Sequence, residues 1–231
     1  SFNLNRDFVD YRITPFFSKE QISELNISSF DLDSLSYFQA SEFLNNNTFS
    51  SIKVEKSDIS VYLQLPDNYD SYLKNLSKKN RHELKRKKRI FEDKFDDFSY
   101  EQSKDETIFD EFITLHRKST GEKGKYMTEK IEKFYKALFE RNNWTIQYLK
   151  HKDSMIAGAF VYESKKVEYL YNSCRDHNLD EFNIGTYLND QLLQNSIKKG
   201  KQYFDFLKGE EKYKFNFGGE VHQLYDLKIK V

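Results

Sequence analysis

The sequence predicts an α/β chain, a mixed sheet flanked by helices, and three observations in its second half carry that expectation. Trp144 to Leu149, Met155 to Tyr162 and Val167 to Ser173 read as successive antiparallel strands, joined by His151-Lys152-Asp153 and by Ser164-Lys165-Lys166. Ile184, Leu188, Leu192, Leu193 and Ile197 trace one apolar stripe of a helix that Gly200 closes. Tyr203-Phe204-Asp205-Phe206 then reads as a short buried strand. A strand, a helix and a second strand form a crossover, which makes the Val167 and Tyr203 strands parallel neighbours.

Taken in order, the chain opens with Ser18 as the cap of a short helix carrying Ile22 and Leu25. Leu35, Phe38 and Phe43 suggest a second short helix ending at Asn45-Asn46-Asn47. Ile52 to Glu55 and Ile59 to Leu65 predict a hairpin turning at Lys56-Ser57-Asp58, which Pro66 closes. No proline follows, so Pro15 and Pro66 set the N-terminal portion apart. From Tyr69 to Phe98 the spacing predicts one long helix or two consecutive ones, and from Ile108 to His116 another. Ser119 to Met127 reads as a loop, and Ile131, Phe134, Tyr135, Leu138 and Phe139 as the cleanest amphipathic helix in the chain. Within the Val167 strand, Val167, Tyr169 and Tyr171 alternate with Glu168, Leu170 and Asn172, and a polar loop runs from Arg175 to Asn183. A last alternating run holds Leu227, Ile229 and Val231.

Composition narrows the function. With 231 residues the chain is long enough to bury a core, and its 37 cationic and 37 acidic residues cancel. No overall field therefore draws it to nucleic acid or an anionic membrane. One cysteine excludes an internal disulfide and suits a reducing compartment, here the cytoplasm. No apolar run is long enough to span a bilayer, and no signal-peptide pattern is read in the first residues given. Phe and Tyr are abundant, which fits either aromatic filling of cores or a groove of tyrosines that offers rings and hydroxyls to a ligand.

Local charge and chemistry add less. Lys78, Lys79, Arg81, Lys85, Arg86, Lys87, Lys88 and Arg89 form a solvated helix face, a contact for an anionic ligand or a nucleic-acid surface, and Glu92, Asp93, Asp96 and Asp97 follow as pairing partners. Gly121-Glu122-Lys123-Gly124-Lys125 has its glycines too close for a phosphate loop and no strand before it. The five histidines are scattered, so no metal site is expected, and there is no Gly-x-Ser-x-Gly elbow. Cys174, alone at the end of a buried strand, reads as packing. The helix opening at Gly185-Thr186 presents backbone N–H groups and the positive end of a dipole, which suits a phosphate.

Three stretches then resemble a known family. They are Leu76-Ser77-Lys78-Lys79-Asn80-Arg81, Phe182-Asn183-Ile184-Gly185-Thr186-Tyr187-Leu188, and Tyr203-Phe204-Asp205-Phe206-Leu207-Lys208-Gly209-Glu210-Glu211-Lys212-Tyr213-Lys214. Over about residues 68 to 231 the chain resembles a GNAT-type acyltransferase, in particular the FemAB-related group that includes proteins associated with bacterial cellulose and exopolysaccharide synthesis. The resemblance implies a GNAT-like mixed sheet with splayed central strands, in which residues 67 to 231 form the acyltransferase domain. Residues 1 to 66 are then an added strand-and-helix portion or the remnant of a first GNAT-like half.

It also implies a reaction, in which an acyl group, acetyl by expectation, passes from acyl-CoA to an amine or hydroxyl on a small molecule or glycan precursor, without metal. The thioester arm lies between the splayed strands along the Val167 to Ser173 edge, and the pyrophosphate sits on Asn183, Ile184, Gly185 and Thr186 with Arg175 as charge partner. Asp205 is then the base or a turn cap, Tyr213 the proton donor to sulfur, and Lys214 either the stabiliser of the oxyanion or a structural partner of Asp205. Tyr213-Lys214-Phe215-Asn216-Phe217-Gly218 matches the FemAB-like Tyr/Phe-Lys-x-x-Phe-Gly pattern. The chain departs from the family at its phosphate loop, where it offers only Gly185 before the helix. Two alternatives therefore stay open: aminoacyl transfer from tRNA to a cell-wall precursor, with the basic run on the tRNA backbone, and a GNAT-shaped binding module without catalysis.

Overall fold

The computed structural model describes residues 24, 28–45 and 49–231. Its elements begin with β1 (Ser29–Leu35), α1 (Tyr37–Leu44), β2 (Ser51–Gln64), α2 (Tyr69–Asn75) and α3 (Lys78–Lys94). There follow β3 (Phe98–Ser103), α4 (Glu106–Arg117), α5 (Glu122–Tyr126), α6 (Glu129–Phe139), β4 (Trp144–His151), β5 (Ser154–Glu163) and β6 (Val167–Arg175). A 3-10 turn (His177–Phe182), α7 (Ile184–Lys198), β7 (Tyr203–Lys208), α8 (Lys212–Asn216) and β8 (Glu220–Lys230) complete the chain. The strands are ordered β1-β8-β2-β7-β6-β5-β4-β3 in a mixed sheet. Among the described residues no helix is long and apolar enough to cross a membrane.

Packing divides the chain into two units, the first drawn from Ser1–Val61, Leu207–Glu211 and Glu220–Val231, the second from Tyr62–Phe206 and Lys212–Gly219. In the first, β1 pairs antiparallel with β8, and Phe30, Leu32, Leu35, Ala40, Phe43, Leu227 and Ile229 form the core. Ser36 starts α1 with a capping box: its Oγ accepts from the Gln39 N–H, and its own N–H donates to Gln39 Oε1. The expected hairpin over 52–65 is instead one continuous strand. Lys56-Ser57-Asp58 lacks the glycine or asparagine that the positive-φ positions of a two-residue hairpin turn favour, and Gln223 Nε2 donates to the carbonyls of Ser57 and Asp58 from the neighbouring strand. Leu35, expected in a helix, ends β1, and the Ser18 helix lies outside the described residues.

The second unit is a helix-covered sheet. β3, β4, β5 and β6 run antiparallel in sequence, and β7 joins β6 in parallel, as the crossover requires. Phe160 on β5 meets Phe112 of α4 and Tyr135 and Phe139 of α6, so these helices cover one face. On the opposite face, Asn195 of α7 donates to Gln147 on β4, the neighbour of Ala159 rather than Phe160.

The stretch from Tyr69 breaks into two helices because Leu76 leaves the helical conformation and the Ser77 side chain caps the next one at the Asn80 N–H. α3 packs on α7 through Phe91 stacked on Tyr187, centroids 3.9 Å apart, and through a buried knot: Lys88 Nζ lies 2.6 Å from Asp190 Oδ2, which also accepts from Gln194, while Tyr69 binds the other oxygen. Helical spacing extended to Phe98 hid β3, whose Phe98 to Ser103 hydrogen-bond along β4.

Candidate active site

The centre of the second unit is a fork. β6 and β7 are in register only at Val167 with Tyr203, Glu168 with Phe204 and Tyr169 with Asp205. Beyond that point β6 continues to Arg175 in step with β5, and β7 continues to Lys208. Two backbone features bend the strands at the fork. Phe160 faces Asn172 whereas Val161 faces Leu170, so Tyr171 is an extra residue in β6, a bulge that increases local twist. Leu207, the residue after Phe206, sits at φ 61°, a left-handed conformation rare for leucine.

The bulge also sorts the side chains of β6. Glu168 and Leu170 are buried towards α7, while Val167, Tyr169 and Tyr171 are half-buried, the reverse of the burial that the Val/Tyr alternation suggests. Tyr171 packs against Tyr135 of α6, and Asn172 reaches the same helix through its hydrogen bond to the Tyr135 hydroxyl.

The predicted phosphate site takes shape at the start of α7. Asn183, at φ 59° and ψ 32°, is the residue before the helix, and no side chain caps the first turn. A helix leaves its first N–H groups without intrahelical partners, and here those belong to Ile184, Gly185 and Thr186. The Asn183 N–H is already committed to the Asp180 carbonyl. Arg175, the last residue of β6, lies over Gly185: a Cβ there would stand 3.1 Å from Arg175 Cδ. Its guanidinium forks onto both Asp180 oxygens at 2.5 and 3.1 Å and holds that carboxyl below the usual carboxylate range. His177 Nδ1 is 3.0 Å from the same carboxylate. The loop expected over 175–183 is thus an ordered 3-10 turn, and Asp180 is the residue that sequence reasoning passed over. An acidic residue five positions from Arg175 in an otherwise polar loop was the available signal.

Of the three residues predicted for proton handling, Asp205 lies on β7 and Tyr213 and Lys214 lie on the short helix α8. Asp205 is 8% exposed and lies beside Tyr169, whose hydroxyl is pushed up by burial and by the Asp205 charge. Phe206 points to the other face, as successive strand residues must, and there Tyr213 stands edge-on to it with centroids 6.0 Å apart. Lys214, 2% exposed, is buried on α8. The short helix is held by its ends. The Gly219 N–H bonds the Lys214 carbonyl and the Gly218 N–H bonds that of Phe215, a Schellman closure that needs the φ of 86° at Gly218. Tyr72 and Asn80 donate to the carbonyls of Phe217 and Phe215. Asp205 and the Tyr213 ring therefore lie on opposite faces of β7. Ser173 is half-buried on the stretch of β6 that has left β7.

Of the basic run, part is structural. Arg81 donates to the carbonyls of Leu73 and Lys74, Arg86 forks onto Glu83, and Lys88 serves Asp190. Among the described residues no ion pair joins the following acids to it, and Glu92 accepts from Tyr187. Cys174 is fully buried with its thiol pushed up by desolvation, the inert thiol expected. Among the described residues no group of His, Cys, Asp and Glu could hold a metal ion.

Comparison with known proteins agrees with this geometry. A comparison with curated proteins finds no match. Among solved structures, FemX superposes with a TM-score of 0.67 at 12% identity, covering 92% of this chain and 77% of that one. A conserved protein of unknown function from Bacteroides thetaiotaomicron VPI-5482 gives 0.64 at 11% identity, covering 92% and 73%. At such identities the likeness is one of fold. The sequence itself matches the family model described as an acetyltransferase (GNAT) domain over residues 78–215, from the first turn of α3, across the fork, to Lys214 and Phe215, and the chain belongs to that family.

Proposed function

We infer that this acyltransferase moves an acyl group, acetyl in the first instance, from acyl-CoA to an amine or hydroxyl on a sugar or polysaccharide precursor, through the portion from 67 to 231. The observation that carries the reading is the fork: three paired residues between β6 and β7, then separation. An extended thioester arm with amides needs a strand edge not paired to another strand, and the stretch of β6 from Leu170 to Arg175 has one side turned from β5, where the Ser173 N–H meets only the side chain of Asn172. The residues at the start of α7 fit a pyrophosphate: an uncapped helix N-terminus, a glycine that lets backbone approach closely, and a guanidinium lying over it.

Acyl-CoA supplies an acyl group already activated as a thioester. The chain's own residues then divide the work. The N–H groups of Ile184, Gly185 and Thr186, with Asn183 and Arg175, hold the phosphates, and Ser173 lines the arm. Asp205 takes the proton of the attacking amine or hydroxyl on the Tyr169 face. Tyr213, on the α7 face, gives a proton to the departing sulfur, so the two transfers occur on opposite sides of the fork. Lys214 stabilises charge gathering on the acyl oxygen.

Thermal unfolding with CoA tests the donor. At a ligand concentration of about 100 Kd, binding adds about 2.7 kcal/mol, which for a chain of this size raises Tm by about 5–10 °C. No shift at millimolar CoA removes the reading. Aminoacyl transfer from tRNA is favoured by one observation: Lys78 and Lys79 begin α3 on an exposed face, with Lys85 and Arg89 exposed further along it. Salt-steep binding of tRNA, with no response to CoA, selects it instead.

A further inference from the structure

The open stretch of β6 carries a side chain that no catalytic or phosphate role uses. The Asp176 N–H bonds the Ile156 carbonyl, so by alternation Cys174 addresses β5 while the N–H of Ser173 points the other way, into the fork. That N–H does not stand idle. Asn172 Oδ1 accepts it at 2.8 Å. The same oxygen lies 3.2 Å from His116 Nε2, and Asn172 Nδ2 donates to the Tyr135 hydroxyl at 2.8 Å.

These contacts fix the carboxamide's orientation and place the imidazole proton on Nε2. His116 is fully buried, and burial draws it down to about 4, so it is neutral. Its Nδ1 then has no partner among the described residues. A buried acceptor left bare is costly, and here the cost accompanies a histidine whose other nitrogen is given to Asn172.

We propose that Asn172 is a positioning residue of the donor slot, a latch whose Oδ1 stands on the Ser173 N–H in place of an acyl carbonyl oxygen and must yield it when a thioester enters. The proposal rests on the acyl-CoA reading. His116 and Tyr135 keep the carboxamide within reach after it lets go, so the N–H is covered in the empty slot and offered in the loaded one. CoA, which has no acyl carbonyl, has nothing to place on that N–H. Acetyl-CoA does.

The measurement is the ratio of Kd for CoA to Kd for acetyl-CoA by calorimetric titration, in the wild type, Asn172→Ala and Asn172→Asp. Removing the latch uncovers the N–H, and Asn172→Ala is expected to raise the preference for acetyl-CoA by about tenfold, the scale of one hydrogen bond no longer contested. Asn172→Asp keeps shape and makes a stronger acceptor, so the preference is expected to fall several-fold. The ratio cancels the effect of the new charge on the coenzyme, and a merely structural asparagine leaves it unchanged. If Asn172→Ala does not fold, the isosteric Asn172→Asp decides alone. Binding of both ligands with one ratio in every variant overturns the latch and leaves the donor reading standing. A wild type that binds neither ligand removes both.

Discussion

Glu168 sits in the middle of the sheet at 0% exposure, with Oε1 accepting from Gln147 Nε2 at 3.2 Å and Oε2 unpartnered among the described residues. Burial raises its pKa from 4.5 to about 7. The folded chain therefore binds this proton more tightly than the unfolded chain. The stabilisation is complete below the unfolded value and is lost as pH rises through about 7. Glu168→Gln mimics the protonated acid, so its advantage over the wild type should grow between pH 5 and pH 8 by on the order of 2–3 kcal/mol. Urea unfolding of both proteins at the two pH values measures it, and an advantage independent of pH refutes it. Asp205 is the contrasting carboxylate: it is aligned with Tyr169 at the mouth of the fork and is expected to work rather than to pack. Asp205→Asn keeps the volume and removes the base, and kcat should fall by about 10²-fold or more while unfolding is little changed. Retained turnover would return Asp205 to capping the turn.

At the scale of elements, the start of α7 joins two effects of opposite sign. Gly185→Ala adds a residue that favours the helix, worth about 0.5–1 kcal/mol. The same methyl stands 3.1 Å from Arg175 Cδ and displaces the guanidinium from its place over the helix start. The variant should unfold at the same temperature as the wild type or slightly higher, yet bind CoA at least about tenfold more weakly, the value of one charge-assisted contact. Equal affinity means that Arg175 serves only Asp180. The crossover itself was legible in the sequence, because a stripe from Ile184 to Ile197 between two strand-like runs admits one topology. The bulge was not. Tyr171 is extra only relative to the register of β5, which no periodicity within β6 reports. β3 was hidden because Phe91, Phe95 and Phe98 keep a spacing that suits a helix, and all three rings do share one cluster. The Phe-Gly that ends the Tyr213 motif has a plain physical reason visible only in three dimensions: Gly218 adopts φ 86°, and a Cβ there would meet Leu76 at 3.0 Å.

For the whole molecule, the candidate residues fall in one unit although they span 173 to 214 in sequence, and the second unit as divided by packing holds all of them. The chain's formal neutrality means that a small anionic ligand is drawn by local groups rather than by an overall field. Binding should consequently leave a local imprint. Amide exchange opens through fluctuations with different free energies in different parts of a fold, and a ligand protects the amides it bonds and those whose opening it must precede. With CoA at saturation, protection is expected on Ser173 and Arg175, on Ile184 to Thr186 at the start of α7, and around Tyr213. Tyr169 and residues before it on β6 are already zipped to β7 and should change little, as should the β1 and β8 ladder of the first unit. Exchange resolved along the chain by mass spectrometry, with and without CoA, distinguishes the two patterns. Uniform slowing across β1, β8 and β6 alike would mean that CoA stabilises the fold without entering the fork, because only an occupied fork can protect the open half of β6 and spare its paired half.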